Sequence, residues 1–224
     1  MSAVWADVKS GLLAASPLDQ VNLVLGIVGV WLMIRRTLWA FPVGLLAVTV
    51  QGVLFYRSRY YADAMLQVFY FGALAYGWWH WVRGRGTAPE LPVTRLSRRG
   101  LLLTIGLAGI GTVAWALVLR NYTRDIMPFR DAFIAAYMVA AQVLQSRKQV
   151  ENWPFWVVAN AVAVGSYWVG GLYYSALLYA VYLVLAFVGW REWRRAMTVG
   201  VLCWPAERPA EGRCGQRPRP KHDY

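Results

Sequence analysis

The sequence predicts an all-α integral membrane protein of seven transmembrane helices, and three observations predict it. Hydrophobic residues make up 58% of the 224, and charged residues only 15%, where a soluble domain carries about a quarter. The apolar residues fall into seven runs, most of them long enough to cross a bilayer, which takes about 17–25 residues of helix. Finally, the Lys and Arg residues that give a net charge of +12 sit almost entirely in the short connections between those runs and in the tail. That distribution belongs to membrane loops, and it argues against a nucleic-acid partner, which requires a basic patch on a soluble surface.

Backbone groups in hydrocarbon must bond internally, so each run reads as a helix. In order, the spans are 18–34, 38–56, 62–82, 100–119, 131–144, 153–169 and 172–190. The fifth is the shortest and most polar; tilt, local thinning or packing inside a bundle accommodates it. Segment 1–17 lacks a basic region followed by an apolar stretch and a cleavage site, so no removed signal peptide is expected. It reads as an extracytoplasmic N-terminal segment. The tail, 196–224, is rich in Pro, Gly and Arg and reads as a disordered, basic cytoplasmic extension that can touch membrane lipid. Its two cysteines, Cys203 and Cys214, have no partners at ligand spacing and imply neither disulfide framework nor metal.

Charge placement orients the bundle. One side collects Arg35, Arg36, Arg83, Arg85, Arg95, Arg98, Arg99, Arg147, Lys148, Arg191, Arg194 and Arg195. The other has Lys9, Arg57, Arg59, Arg120, Arg124 and Arg130. Twelve against six makes the first side cytoplasmic, with the N-terminus outside and the C-terminus inside.

An internal repeat divides the seven spans. Tyr60-Tyr61-Ala62 through Gly77-Trp78 to Trp81 parallels Tyr173-Tyr174-Ser175 through Gly189-Trp190 to Trp193. Arg35-Arg36 before Trp39 parallels Arg147-Lys148 before Trp153. The repeats are then 18–82 and 131–195, and the linker 83–130 carries the fourth helix. Two three-helix units joined directly would point in opposite directions; one extra helix makes them parallel. This 3+1+3 order of two parallel three-helix repeats is SWEET-like, and transporters of that kind hold their ligand near the midplane between repeats.

The middles of the spans contain no Asp, Glu, Lys, Arg or His. Ionisable groups at depth mark proton relays and ion sites, and acid–base or metal chemistry needs them converging on one site. Their absence argues against proton-coupled pumping and against an intramembrane enzyme. No phosphate-binding loop of the P-loop type appears, which argues against direct ATP drive. No cofactor is implied, and passive movement of a ligand fits best.

Amides and aromatics remain at depth: Gln51, Gln67, Gln142 and Asn160 lie inside spans. A buried amide must face protein, water or ligand. Trp153, Trp156 and Asn160 recur at i, i+3 and i+7, one helix face, with Pro154 in the first turn where its missing N–H costs nothing. Asn160 then lies roughly 10 Å below the helix start. The third span sets Gln67, Tyr70, Phe71 and Leu74 on one face. Such walls suit a flat heteroaromatic ligand, attracted if cationic by tryptophan faces. They do not suit a phosphorylated one, since no Arg or Lys is available at depth.

These residues resemble a known family. Tyr61-Ala62-Asp63-Ala64-Met65-Leu66-Gln67, followed by Tyr76-Gly77-Trp78-Trp79 and Trp81, is similar to the third core helix of the Pnu-type vitamin transporters. Glu151-Asn152-Trp153-Pro154-Phe155-Trp156 with Asn160 resembles that family's E-N-W-x-x-W-x-x-x-N signature, and Gly171-Leu172-Tyr173 through Tyr179 to Gly189 and Trp193 its last helix. The resemblance implies a homotrimer in the bacterial cytoplasmic (inner) membrane that takes up nicotinamide riboside by facilitated diffusion, made unidirectional by a cytosolic kinase. It places Trp153, Trp156, Asn160 and Gln67 on the substrate, with Tyr70, Gln142 and Tyr179 as further candidates. The family's hydroxyl residues ahead of the fifth-helix glutamine are replaced by Ile134-Ala135-Ala136-Tyr137-Met138. Thiamine or another vitamin precursor therefore stays open as the ligand, and a non-transporting ligand-binding membrane receptor as the other class.

Overall fold

The computed structural model describes residues 2–14, 16–122 and 127–203. Among them are eight α-helices: α1 (Ser2–Ala14), α2 (Pro17–Ile34), α3 (Ala40–Arg57), α4 (Tyr61–Gly84), α5 (Arg98–Tyr122), α6 (Pro128–Ser146), α7 (Asn152–Val169) and α8 (Tyr173–Cys203). Each of the seven expected segments is helical over most of its length, and α1 is additional. Its Asp7 Oδ2 accepts the backbone N–H of Tyr174 at 3.1 Å, fastening α1 to the start of α8. The fifth expected segment is longer than read, because Pro128 occupies a first-turn position where it favours helix. At the other end, α8 runs through 196–203; the remainder of the expected tail lies outside the described residues.

By length and composition, α2, α3, α5 and α8 are apolar enough to cross a membrane. The shorter or more polar α4, α6 and α7 carry amides such as Gln67, Gln142, Gln145, Asn152 and Asn160, which are more useful against protein than against lipid. In α5, Leu102, Leu103, Leu107 and Ile110 are 67–69% exposed. An outward apolar face of that kind suits hydrocarbon.

Helix ends follow local chemistry. Ser16 caps α2 in a reciprocal box with Asp19, and Pro17 opens the first turn. The α2 helix stops in a left-handed turn: Arg36 has φ 57°, and the N–H groups of Arg36 and Thr37 donate to Met33 O and Leu32 O at 3.0 and 3.2 Å. This is the Schellman arrangement.

The same turn recurs 112 residues later. Lys148 also has φ 57°, and Lys148 and Gln149 donate to Gln145 O and Leu144 O at 2.9 and 3.0 Å. A second pair of turns repeats at the same spacing. Arg59 and Tyr60 donate to Tyr56 O and Phe55 O; Gly171 and Leu172 donate to Trp168 O and Tyr167 O, both sets at 3.1 and 2.9 Å. Arg59 and Gly171 have φ 63° and 73°. Three of these four turns, at Arg36, Arg59 and Lys148, thus force a basic side chain into a backbone region that such residues seldom adopt.

Packing repeats as well. Phe41 meets Trp81 edge to face at 5.0 Å, and Trp153 meets Trp193 in the same way at 5.5 Å. Gly77 and Gly189 make room for these rings; a Cβ on either would collide with Phe41 or Trp153 respectively. Helices α2, α3 and α4 pack in sequence, as do α6, α7 and α8, while α4 lies on α6 and α8 on α2. Across that junction Trp81 Nε1 donates to Ser146 O and Trp193 Nε1 to Met33 O, both at 3.2 Å. Each half's last helix is hydrogen-bonded to the end of the other half's first helix. The segment between α4 and α5 is pinned to the α6–α7 turn, with Thr94 N–H donating to Lys148 O, Val150 N–H to Thr94 O, and Leu96 N–H to Glu151 Oε2.

Candidate ligand-binding cavity

A cavity of about 330 Å³ lies between the two halves, within the size range of small-molecule sites. Positions 112 residues apart line it in pairs: Gly26 with Met138, Val30 with Gln142, Met33 with Gln145, Gly44 with Trp156, Val48 with Asn160, Gln67 with Tyr179, and Tyr70 with Tyr182. The cavity therefore straddles the relation between halves, but its chemistry is one-sided. On the α2–α3 side the paired positions are small or apolar and supply volume. Their partners on α6 and α7 supply two glutamines, a tryptophan and an asparagine.

All seven residues singled out from the sequence, Gln67, Tyr70, Gln142, Trp153, Trp156, Asn160 and Tyr179, line this one cavity. They come from α4, α6, α7 and α8. Phe71, on the helix of Gln67, is instead 46% exposed. Gln51 is turned away, accepting a hydrogen bond from Asn22 Nδ2.

The amide wall is ordered by its own bonds. Trp156 Nε1 donates to Gln145 Oε1 at 2.9 Å, tying the indole of α7 to α6. Asn160 Nδ2 donates to Trp156 O at 2.8 Å, which sets the asparagine rotamer one turn below the ring. Gln142 Nε2 and Trp153 Nε1 are buried without a hydrogen-bond partner among the described residues. A buried amide donor left unmatched is costly, and Gln142 stands where a ligand acceptor would relieve it. Trp153 has a second role: it is 2% exposed and forms part of the core around Phe41, Trp81 and Trp193. In the same lining, Tyr179 stacks on Tyr167 with centroids 5.2 Å apart and meets Tyr182 edgewise at 6.4 Å. A flat ring entering the cavity has both tryptophan and tyrosine rings in its lining.

Gln145, Met138 and Tyr182 escaped the sequence reading. A signal for two of them exists: Gln145 follows Gln142, and Tyr182 follows Tyr179, by three residues on the same helix face. The small residues Gly26, Gly29 and Gly44 carry no comparable sign, since their contribution is space. None of the lining residues is Asp, Glu, Lys, Arg or His.

Residues 16–195 match the family described as nicotinamide mononucleotide transporter. The chain is 32% identical over 180 residues to the riboflavin/roseoflavin transporter RibM of Streptomyces davaonensis, spanning 78% of this chain and 83% of that protein. It is 27% identical over 201 residues to the nicotinamide riboside transporter PnuC of Escherichia coli, spanning 79% and 84%. Its fold is similar to the crystal structure of the vitamin B3 transporter PnuC, with a TM-score of 0.68 and 22% identity over 88% of this chain and 89% of that one.

Proposed function

This chain belongs to the nicotinamide mononucleotide transporter family, membrane transporters rather than enzymes, and from that premise we propose that it carries nicotinamide riboside across the bacterial cytoplasmic membrane by facilitated diffusion. The observation that carries the proposal is the cavity itself: indole and phenol rings, three glutamines and an asparagine, with no cation or carboxylate in its lining. Trp153 and Trp156 would face the pyridinium ring, while Gln67, Gln142 and Asn160 meet its carboxamide and ribose hydroxyls. Tyr70 and Tyr179 would complete the aromatic lining.

A lining without Asp, Glu or His offers nothing to couple a proton or a sodium ion, so movement follows the substrate gradient. Uptake becomes one-way when a cytosolic kinase adds a phosphate, because the product then carries a charge that this cavity has no group to neutralise. We infer a 3+1+3 arrangement of parallel three-helix units, α2–α4 and α6–α8 about α5, which the turns, aromatic pairs and lining positions recurring at 112 residues support. With the basic connections inside, the N-terminus is outside and the C-terminus inside. A homotrimer follows from family resemblance.

A second ligand has a specific observation in its favour, the 32% identity to a riboflavin/roseoflavin transporter. Liposomes loaded with the purified protein and no gradient other than substrate decide between them. Labelled nicotinamide riboside should equilibrate, unaffected by an imposed pH gradient. Movement of riboflavin or thiamine in its place would replace the ligand and keep the mechanism. A proton requirement would overturn uniport, and calorimetric binding without flux would make the protein a receptor.

A further inference from the structure

Beyond the end of α2 lies a second cavity, of about 220 Å³, which the transport reading leaves unused. Arg35, Arg36, Arg85 and Lys148 line it, with Glu90 as the carboxylate among its lining residues and Trp81 as its floor. Only the last turn of α6 and the left-handed turn after it separate Gln145 in the ligand cavity from Lys148 here.

Lys148 is the informative member. Basic residues that only orient a membrane protein act from solvent, yet this lysine is wholly buried. Its Nζ lies 4.2 Å over the Trp81 ring and 3.6 Å from Glu90 Oε2, and it makes no hydrogen bond among the described residues. A buried ammonium with three donors and one distant carboxylate is costly, and burial pulls Lys148 down to about 8, Glu90 opposing and Arg36 reinforcing. Glu90 cannot satisfy the cluster alone. It is shared with Arg36 Nε at 3.4 Å, and its side chain is 49% exposed. The left-handed turns at Arg36 and Lys148 aim two equivalent positions of the repeat toward the same space.

We propose that this cavity binds a phosphate group, held by Arg35, Arg36, Arg85 and Lys148, with Glu90 swinging out to admit it. The terminal oxygens on one phosphorus, two in a phosphodiester and more in free phosphate, match guanidinium forks and the lysine ammonium together, and the ligand cavity carries no such charge in its lining. A phosphate seated there ties the ends of α2, α4 and α6 together. The source is either a soluble phosphate or a phospholipid headgroup.

The test uses the full chain in a neutral detergent, titrated calorimetrically with inorganic phosphate at low ionic strength, and the same chain in vesicles of phosphatidylglycerol mixed with phosphatidylcholine. Saturable phosphate binding, weakened about tenfold or more by Lys148→Met and by Arg36→Gln, supports a soluble source. No heat, but phosphatidylglycerol retained on the protein in native mass spectrometry and lost from both variants, supports the headgroup. Glu90→Gln, on the exposed side chain, guards against misfolding of the other two and should tighten binding several-fold. Neither ligand bound, or affinities unmoved by all three substitutions, overturns the proposal. None of these readouts depends on transport, so the site and the transport reading fail separately.

Discussion

Gly189→Ala tests the ligand cavity without touching it. A Cβ at this position would come well inside van der Waals contact of three Trp153 ring atoms, Cη2, Cζ2 and Cζ3. The ring cannot retreat into the core, where it is 2% exposed and set edge-on against Trp193 at 5.5 Å. It must shift toward the cavity that it lines. Overpacking of this kind costs about 1–3 kcal/mol of stability, and a similar loss of ligand contact lowers affinity by about five- to 150-fold. The internal repeat supplies the control. A Cβ at Gly77 would meet Phe41 Cε1 at 2.9 Å and Ser146 Cα and Cβ at 3.2 Å, but Phe41 does not line the cavity. Gly77→Ala should therefore destabilise comparably while changing affinity by less than about threefold. Both variants are read by thermal unfolding and by titration calorimetry with nicotinamide riboside, or with whichever vitamin binds the wild type. Unchanged affinity in Gly189→Ala, or an equal loss in Gly77→Ala, would refute the coupling of Trp153 to the ligand.

Trp156→Ala and Asn160→Ala should each weaken binding by about 1–3 kcal/mol; retained affinity in both, on folded protein, moves the site elsewhere. Gln145→Leu removes the acceptor of the Trp156 indole and should cost about 1–3 kcal/mol in affinity, with restoration by Gln145→Glu separating a lost hydrogen bond from lost shape. Phosphate binding at the basic cavity should fall as pH rises from about 8 to 9.5, by about tenfold. Lys148 is charged below its value of about 8 and neutral above it, so the cavity loses a positive charge across that window. Bound phosphate favours the ammonium and shifts the fall upward; Lys148→Met should flatten it.

Helices were legible because an apolar run is a local property, and so was the face shared by Trp153, Trp156 and Asn160, which a 3.6-residue period places together wherever the helix goes. Gln67 and Tyr179 could each be picked out on its own helix, but nothing local says that residues 112 apart share a cavity. The repeat in sequence was likewise a matter of a few aromatic and basic positions. In the structure the correspondence extends to matched left-handed turns and to glycines cleared for a ring, because backbone conformation and packing can match where side-chain identities differ.

What the sequence determined alone is the membrane-buried helical class, the positions of the helices after α1, the poverty of charge at depth and the aromatic-amide character of the candidate cavity. These depend on composition and short-range periodicity. The tertiary structure decided what depends on contacts between distant segments. It joined seven candidate residues on four helices into one cavity and committed the Trp156 indole to Gln145. It also buried Lys148, outwardly one more loop cation, against Trp81. Burial is a property of the neighbours a residue acquires, and Lys148 acquires Trp81 and Glu90 only when α4 and the segment after it fold against the end of α6.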